Sequence, residues 1–444
     1  MGQPEVILPD MPILKLEPTD RILIMAPHPD DEVIGCGGVI QQARAMNIPV
    51  RVVFLTYGDF NQWSFLVYRD KPVLTPTGVE NMGMVRHDEA VAADQLLGLS
   101  QQDLVFLGYP DSGTLPILLS HWGDSQPYRG MLTHANAVPY ADALRPSAPF
   151  KGEEILQDIK SVIQDFHPTK IFVSHPVDRH PDHEAMYLFT RVALWDLNLD
   201  PQPEILPYLV HFRRWPTPKG FHPGDTLTPP SDLSTGAVWF SLSLNPLELA
   251  RKLSALMLHR TQFKANPHYL TAFARLNEIF GEFPDFTIPR NHVAFPIAES
   301  QKQVTPGQED QLTETEKASF IGFEQRIITV AQDKFEISLL LSRPLAADVG
   351  VAVYAMGYRH DIPFSRMPKI HVRITPTRVQ VLDQSTQLPV QSVEISRQSR
   401  EITLKIPLSV LGDPEHILTG ARSFIGDVPL DYTSWRTLEI TSGG

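Results

Sequence analysis

From residue 21 to about residue 200, short apolar runs alternate with amphipathic stretches. "RILIMA" (21–26) and "VRVVFLTY" (50–57) are β-rich apolar runs and predict buried strands. Between them "GGVIQQARAMN" predicts a helix. "VRHDEAVAADQLLGL" (85–99) carries apolar residues at helical spacing and stops at Gly98. "DLVFLGYPD" (103–111) is a further strand with its exit, "GEEILQDIKSVIQDFHP" (152–168) a helix, and "KIFVSHP" (170–176) another strand. This order predicts an α/β fold: a mostly parallel sheet with helices on both faces. Such sheets bind ligands beyond the carboxyl ends of their strands.

Residues 112–150 and 213–235 interrupt the alternation with Pro, Gly and aromatics and read as long loops. "WFSLSL" (239–244) then predicts a strand, and "NPLELARKLSALMLHRTQF" (245–263) one amphipathic helix with Asn245 as N-cap and Pro246 at its first position. Past Ala298 the pattern changes. "AESQKQVTPGQEDQLTETEKAS" is nearly devoid of apolar residues and reads as a linker, followed by dense short alternating segments such as "KFEISLLL", "GVAVYAM" and "EITLKIP". The expected division is therefore a catalytic-type α/β domain at 1–298, a polar linker at 299–318, and a smaller β-sandwich at 319–444.

Composition narrows the functions. A formal net charge of −13 disfavours a nucleic-acid partner, whose binding needs a basic surface. One cysteine, Cys36, permits neither an intramolecular disulfide nor a Cys-based zinc cluster. The first residues lack a basic segment followed by an apolar one, and no apolar run reaches the length of a membrane span. The expectation is a cytoplasmic protein without a membrane span.

The chemistry gathers at two strand exits. "PHPDDE" (27–32) follows the first predicted strand and "SHPVDRHPDHEA" (174–185) follows another. Histidine and carboxylate are ordinary ligands of zinc, and three protein ligands plus an open position describe a catalytic ion. His28 and Asp31 as ligands would leave Asp30 free to take a proton from water, and His183 could close the set. His180 would then serve the substrate, with Asp182 keeping it protonated. "GCGGVI" has Ile40 where a dinucleotide-binding motif needs its third glycine, so a tight turn and close backbone approach explain those glycines better. Cys36 among them reads as a small packing residue rather than a nucleophile.

With these residues in place, the chain resembles the PIG-L (LmbE-like) family of metal-dependent de-N-acetylases. The resemblance is carried by "PHPDDEVIGCGG" (27–38) and "HPDH" (180–183), with support from "RHDEAVAADQLLG", "FLGYPDSG" and "LHRTQF", and covers roughly residues 20–290. It implies a Rossmann-like α/β fold and a Zn²⁺ enzyme, with another divalent metal as the alternative, that removes acetyl from an N-acetylglucosamine-type sugar or glycoconjugate. It further implies His28, Asp31 and His183 as metal ligands, Asp30 as general base, and His180 as an imidazolium oriented by Asp182. Arg86 and Asp111 match positions that hold the sugar. Where some members have a tyrosine that polarises the carbonyl, this chain has Asp178.

Alternatives stay open for several residues. Arg86 could pair with Glu89 on one helical face, Asp111 could open a turn, and His259 could complement a helix dipole. His121, Trp122, Tyr128, His134 and Tyr140 could touch a sugar or anchor their loop. At the level of the whole chain, a different metal-dependent amide or ester hydrolase and a non-catalytic glycan-binding protein are the rivals. Homo-oligomerisation is left open.

Overall fold

The computed structural model describes residues 11–69, 74–212, 214–230, 233, 237–290, 297–300, 313–331, 333–346, 348–426 and 428–442. The chain divides into two compact units, one of Met1–Leu118 and Gln126–Phe283, the other of Leu119–Ser125 and Pro284–Gly444. Among the described residues, no helix is long and apolar enough to cross a membrane.

The first unit runs β1 (Ile22–Ala26), α1 (Asp31–Ala45), β2 (Val50–Thr56), α2 (Gln62–Arg69), α3 (Pro76–Leu97), β3 (Leu104–Tyr109), α4 (Thr114–Ser120), α5 (Gly152–Phe166), β4 (Lys170–Ser174), α6 (Pro181–Leu197), β5 (Glu204–Tyr208), β6 (Trp239–Ser243), α7 (Pro246–Leu258), α8 (Arg260–Ala265), α9 (Pro267–Thr271) and β7 (Asn277–Gly281). Its sheet has the order β3-β2-β1-β4-β5-β7-β6. β1 lies parallel to both β2 and β4, so the chain leaves β1 to one side and later returns to the other. That reversal opens a crevice at the carboxyl ends of β1 and β4, the place where doubly wound sheets bind ligands. β7 and β6 add an antiparallel edge beyond β5.

β1 is fully buried, as its five apolar residues predict. α3 is delimited by its own chemistry: the Thr75 side chain accepts from Gly78 N, Pro76 occupies the first turn, and Gly98 closes the helix at φ 103°. The helix expected over 245–263 divides instead. His259, at φ −74° and ψ 63°, ends α7 and starts α8. The break turns the His259 ring toward Glu32 (Nε2 to Oε1, 3.2 Å) and lets Glu89 cap α8 by accepting from Thr261 N at 2.9 Å.

The glycines of "GCGG" lie inside α1 rather than in a turn, and serve close approach. A Cβ on Gly35 would run into the Tyr208 ring, and one on Gly38 into Leu244 and Glu278. Cys36 is buried beside them, and burial pushes its thiol well above the ordinary range. It is a packing residue and not a nucleophile.

The second unit comprises β8 (Phe286–Arg290), β9 (Ile297–Ser300), α10 (Glu314–Ser319), β10 (Phe323–Ala331), β11 (Lys334–Leu341), β12 (Val349–Tyr358), β13 (Lys369–Ile374), β14 (Val379–Asp383), β15 (Thr386–Leu388), β16 (Glu394–Gln398), β17 (Glu401–Pro407), β18 (His416–Ile425), β19 (Val428–Tyr432) and β20 (Arg436–Ser442). Two sheets form, β16-β17-β11-β10-β9 and β15-β14-β13-β12-β18-β20-β8, with β19 paired to β18. Alternating residues such as Ile328, Ile337, Leu404, Val351, Val372 and Ile417 from both sheets make one apolar core, as in a sandwich.

The chain parts at Phe283, earlier than the sequence boundary of 298. β8 already runs parallel to β20 and β9 antiparallel to β10, so both belong to the second unit. Of the expected linker 299–318, residues 301–312 lie outside the described residues. Leu119–Ser125 also joins the second unit, through Trp122. Its ring packs edge-on against Phe364 and beneath the Lys369 ammonium, and its backbone N–H donates to Gln384. Trp122 therefore anchors its segment. So does Tyr140 in the first unit, stacked on Tyr57 at 3.7 Å.

Candidate metal centre and active site

Leaving β1, the chain is held by Thr56, whose N–H and hydroxyl both donate to Pro27 O at 3.1 Å. Asp30 then takes φ 142° and ψ −26°, a backbone state costly for any residue but glycine. Two features hold it there: Asp30 N donates to Glu32 Oε2 at 2.9 Å, and Arg86 reaches in from α3. Arg86 donates from Nη1 to Gly58 O at 2.7 Å and from Nη2 to Pro29 O at 2.9 Å and Asp30 Oδ1 at 3.2 Å. Gly58, at φ +64°, makes room for it, since a Cβ there would overlap the guanidinium. Burial pushes the Asp30 carboxyl up to about 6, against the pull of Arg86.

The second segment starts α6. Pro181 is its first residue and His180 its N-cap, with His180 Nδ1 accepting from Asp182 N at 3.3 Å. Asp182 and His183 thus fall in the first turn and face the crevice from the β4 side. Asp31 Oδ2 lies 3.1 Å from His28 Nδ1 and 3.1 Å from His183 Nε2. The far nitrogens are held in turn: His183 Nδ1 lies 3.1 Å from Asp178, and His28 Nε2 lies 3.1 Å from Asp182 and 3.5 Å from Asp111. Burial opposes charge on Asp31, but His183 and His28 outweigh it and hold the carboxyl well below its usual range. Burial likewise would lower His183, and Asp178 and Asp31 carry it up to about 10.

These residues fit a divalent cation. Both nitrogens of His183 are shut off from solvent and close to carboxylate oxygens, yet neither is aligned for a hydrogen bond. Donor atoms of His28, His180 and His183 lie within 4.8 Å of one another, as do those of His28, Asp111, His180 and Asp182, and those of Asp31, His183 and His211. Imidazole nitrogen with carboxylate oxygen is the donor set of zinc and its first-row neighbours.

The two distant motifs meet, but several side chains find partners other than those expected. Asp182 does not hold His180: its Oδ2 is 3.8 Å from His180 Nδ1, which is already occupied by the capping N–H. The Asp182 carboxylate accepts instead from Thr114 Oγ1 at 2.5 Å, Thr114 N at 3.1 Å and Ser112 N at 2.6 Å, and faces His28. Burial, and then the neighbouring His28, His211 and His183, hold the His180 imidazole well below its usual range. Arg86 is 3 % exposed and engages the backbone and Asp30, which leaves it packed behind Asp30. His259 is buried against Glu32 rather than placed at a solvent-facing helix end.

Asp111 stays at the site, with Oδ2 accepting from Phe60 N at 3.0 Å. His175 turns away and stacks on Trp239 at 5.5 Å. Asp178, noted in the sequence only as a departure, proves to be the carboxylate behind His183. His211 and Tyr269 were not legible as site residues. The one available signal was that "LVH" (209–211) follows a strand of the parallel sheet.

Residues 23–194 match the family PIG-L: GlcNAc-PI de-N-acetylase, and this stretch is a PIG-L family domain. No curated protein matches the chain. Among solved structures, the N,N'-diacetylchitobiose deacetylase of Pyrococcus horikoshii is 20% identical with a TM-score of 0.33, over 55% of this chain and 71% of that one. A conserved protein of Thermus thermophilus is 20% identical with a TM-score of 0.34, over 57% and 85%. An antimicrobial A40926 pseudoaglycone deacetylase is 17% identical with a TM-score of 0.38, over 59% and 96%.

Proposed function

We propose that this chain is a zinc-dependent hydrolase that removes acetyl from an N-acetylated amino sugar or glycoconjugate, yielding acetate and a free amine. The observation that carries the reading is the adjacency of Asp30 and Asp31. One carboxylate lies between two histidines from separate strand exits, and its neighbour is held apart by Arg86. The PIG-L domain over 23–194 supplies the reaction class.

His28, Asp31 and His183 would hold the ion, which when bound supplies Lewis acidity to the carbonyl and to water. Asp30 takes the proton of the attacking water, and a carboxyl with a pKa pushed up to about 6 is suited to that near neutrality. Because His180 Nδ1 accepts the Asp182 N–H, its proton sits on Nε2. Neutral His180 can therefore donate to the oxyanion that forms as water adds to the carbonyl carbon, a contribution of about 3 kcal/mol for one such donor. Asp30 returns its proton to the nitrogen as the C–N bond breaks. The second unit contributes none of these residues and is assigned an accessory role. The low cysteine content, Cys36 alone, supports a cytoplasmic setting.

The test is acetate release from a panel of N-acetyl sugars, with and without chelator, in wild type and Asp30→Asn. The expected result is chelator-sensitive acetate release that falls about 10²–10⁴-fold in the variant. Chelator-sensitive cleavage of other amides or esters without acetate release would replace the deacetylase reading with the broader hydrolase one.

A further inference from the structure

His211 lies beyond the matched stretch 23–194, three residues past the end of β5. β1, β4 and β5 are neighbours in the sheet, so their exits form three adjacent loops. The first exit brings His28 and Asp31, the second His180 and His183, and the third His211. The His211 ring centroid is 4.8 Å from that of His183 and 5.2 Å from that of His180. Donor atoms of Asp31, His183 and His211 fall within 4.8 Å of one another.

The way His211 is held matters as much as where it lies. His28 and His183 each turn one nitrogen toward Asp31 Oδ2 and keep the other on a fixed partner, Asp182 and Asp178 respectively. His211 shares the second half of this construction, with its Nδ1 3.1 Å from Tyr269 Oη. With the Tyr269 hydroxyl donating to Val210 O at 3.2 Å, the phenol oxygen can accept from His211 Nδ1–H, the tautomer that leaves the Nε2 lone pair available. A histidine whose second nitrogen is pinned in this way is oriented as a metal ligand is. The main chain is fixed too: His211 N donates at 2.9 Å to the Asp178 oxygen that lies against His183. Simple ring packing would account for the stacking of His211 on Tyr269 but not for its convergence with Asp31 and His183.

We propose that His211 is a further ligand of the divalent ion, drawn from outside the matched stretch, and that Tyr269 is the positioning residue that sets its tautomer. This rests on the reading above that the site holds such an ion. The probe is Co²⁺, added to full-length chain stripped with chelator, with affinity read by chelator competition and coordination by the visible absorption band. Wild type is expected to take up one Co²⁺ per chain. Loss of an orienting partner costs about 10–100-fold in metal affinity, so Tyr269→Phe should fall within that range and keep its band position. His211→Gln should lose about 100-fold or more and shift the band. Wild-type affinity and an unchanged band in both variants would overturn the role of His211 while leaving the metal reading intact. Absence of Co²⁺ uptake by wild type would overturn the metal reading, and this inference with it. Should His211→Gln fail to fold by circular dichroism, Tyr269→Phe decides alone.

Discussion

Asp178 Oδ2 lies 3.1 Å from His183 Nδ1, with both side chains closed to solvent, and the same oxygen accepts the N–H groups of Val210 and His211. One carboxylate thus orients a ring from the β4 exit and a loop from the β5 exit. Asp178→Asn keeps the shape but removes the charge that holds His183, and divalent-ion affinity should fall about 10–100-fold. Competition against a chelator measures this. Unaltered affinity would mean that the packing of α6, and not Asp178, fixes the ring.

Gly58 bears on Asp30, the proposed base, from a distance. Its carbonyl accepts from Arg86 Nη1, and the space a Cβ would need is filled by that guanidinium. Gly58→Ala meets both the overlap and an unfavourable φ of +64°. The guanidinium must then withdraw from Asp30 Oδ1, 3.2 Å away. Turnover is expected to fall toward the about 10²-fold that is the low end of what a positioned base contributes, while metal content is retained, since Arg86 touches none of the proposed ligands. Steady-state kinetics beside elemental analysis separates the two effects, and equal loss of metal and activity would count against the Arg86–Asp30 link.

Strand exits were legible because buried parallel strands are apolar from end to end, so the first polar cluster after "RILIMA" or "KIFVS" marks a carboxyl end. That reasoning pointed to His28, Asp31 and His183, and in the structure Asp31 Oδ2 lies 3.1 Å from a nitrogen of each histidine. What it could not supply was which donor each side chain would find. Asp182 lies close in sequence to the ring it was expected to orient, yet the capping geometry of α6 turns the His180 nitrogen toward the backbone. Arg86 sat on a helix whose register was clear, but its burial depended on Gly58 and Pro29, 28 and 57 residues away. His211 was one histidine without a motif. The second unit was visible as alternation, whereas its start at β8 was hidden because Phe286–Arg290 pairs with β20 at the far end of the chain.

Asp59 makes stability depend on pH. It is 8 % exposed and accepts from Tyr140 Oη at 2.5 Å. Burial, and then the nearby Asp111, push its carboxyl up to about 7. In the unfolded chain the group titrates near ~3.9. Between those values the folded state keeps a proton that the unfolded state has released, so stability falls as pH rises through the window. The slope from this one group approaches about 1.4 kcal/mol per pH unit at most. Asp59→Asn fixes the neutral form and should be more stable than wild type at about pH 8, with the advantage vanishing toward about pH 4. Thermal unfolding of both proteins across that range is the measurement, and parallel curves would exclude Asp59 as the source.

Lys252 and Glu278 form an ion pair at 2.5 Å that is closed to solvent, and both partners also grip α1. Lys252 Nζ donates to Ile34 O at 2.9 Å, and Glu278 accepts from Gly38 N at 2.7 Å and Val39 N at 3.1 Å. Such a pair offsets its own desolvation only when both members are present. Lys252→Met should therefore cost about 3–5 kcal/mol by leaving Glu278 buried without its cation. Adding Glu278→Gln, which removes the orphaned charge but keeps an acceptor for α1, should recover part of that loss. Because α1 carries Asp31 in its first turn, the single variant should also bind the divalent ion less tightly, and the double variant more nearly as wild type does. Denaturant midpoints and chelator competition on the same three proteins test both halves. Recovery of stability without recovery of ion affinity would show that the pair supports the fold of α1 but not the position of Asp31.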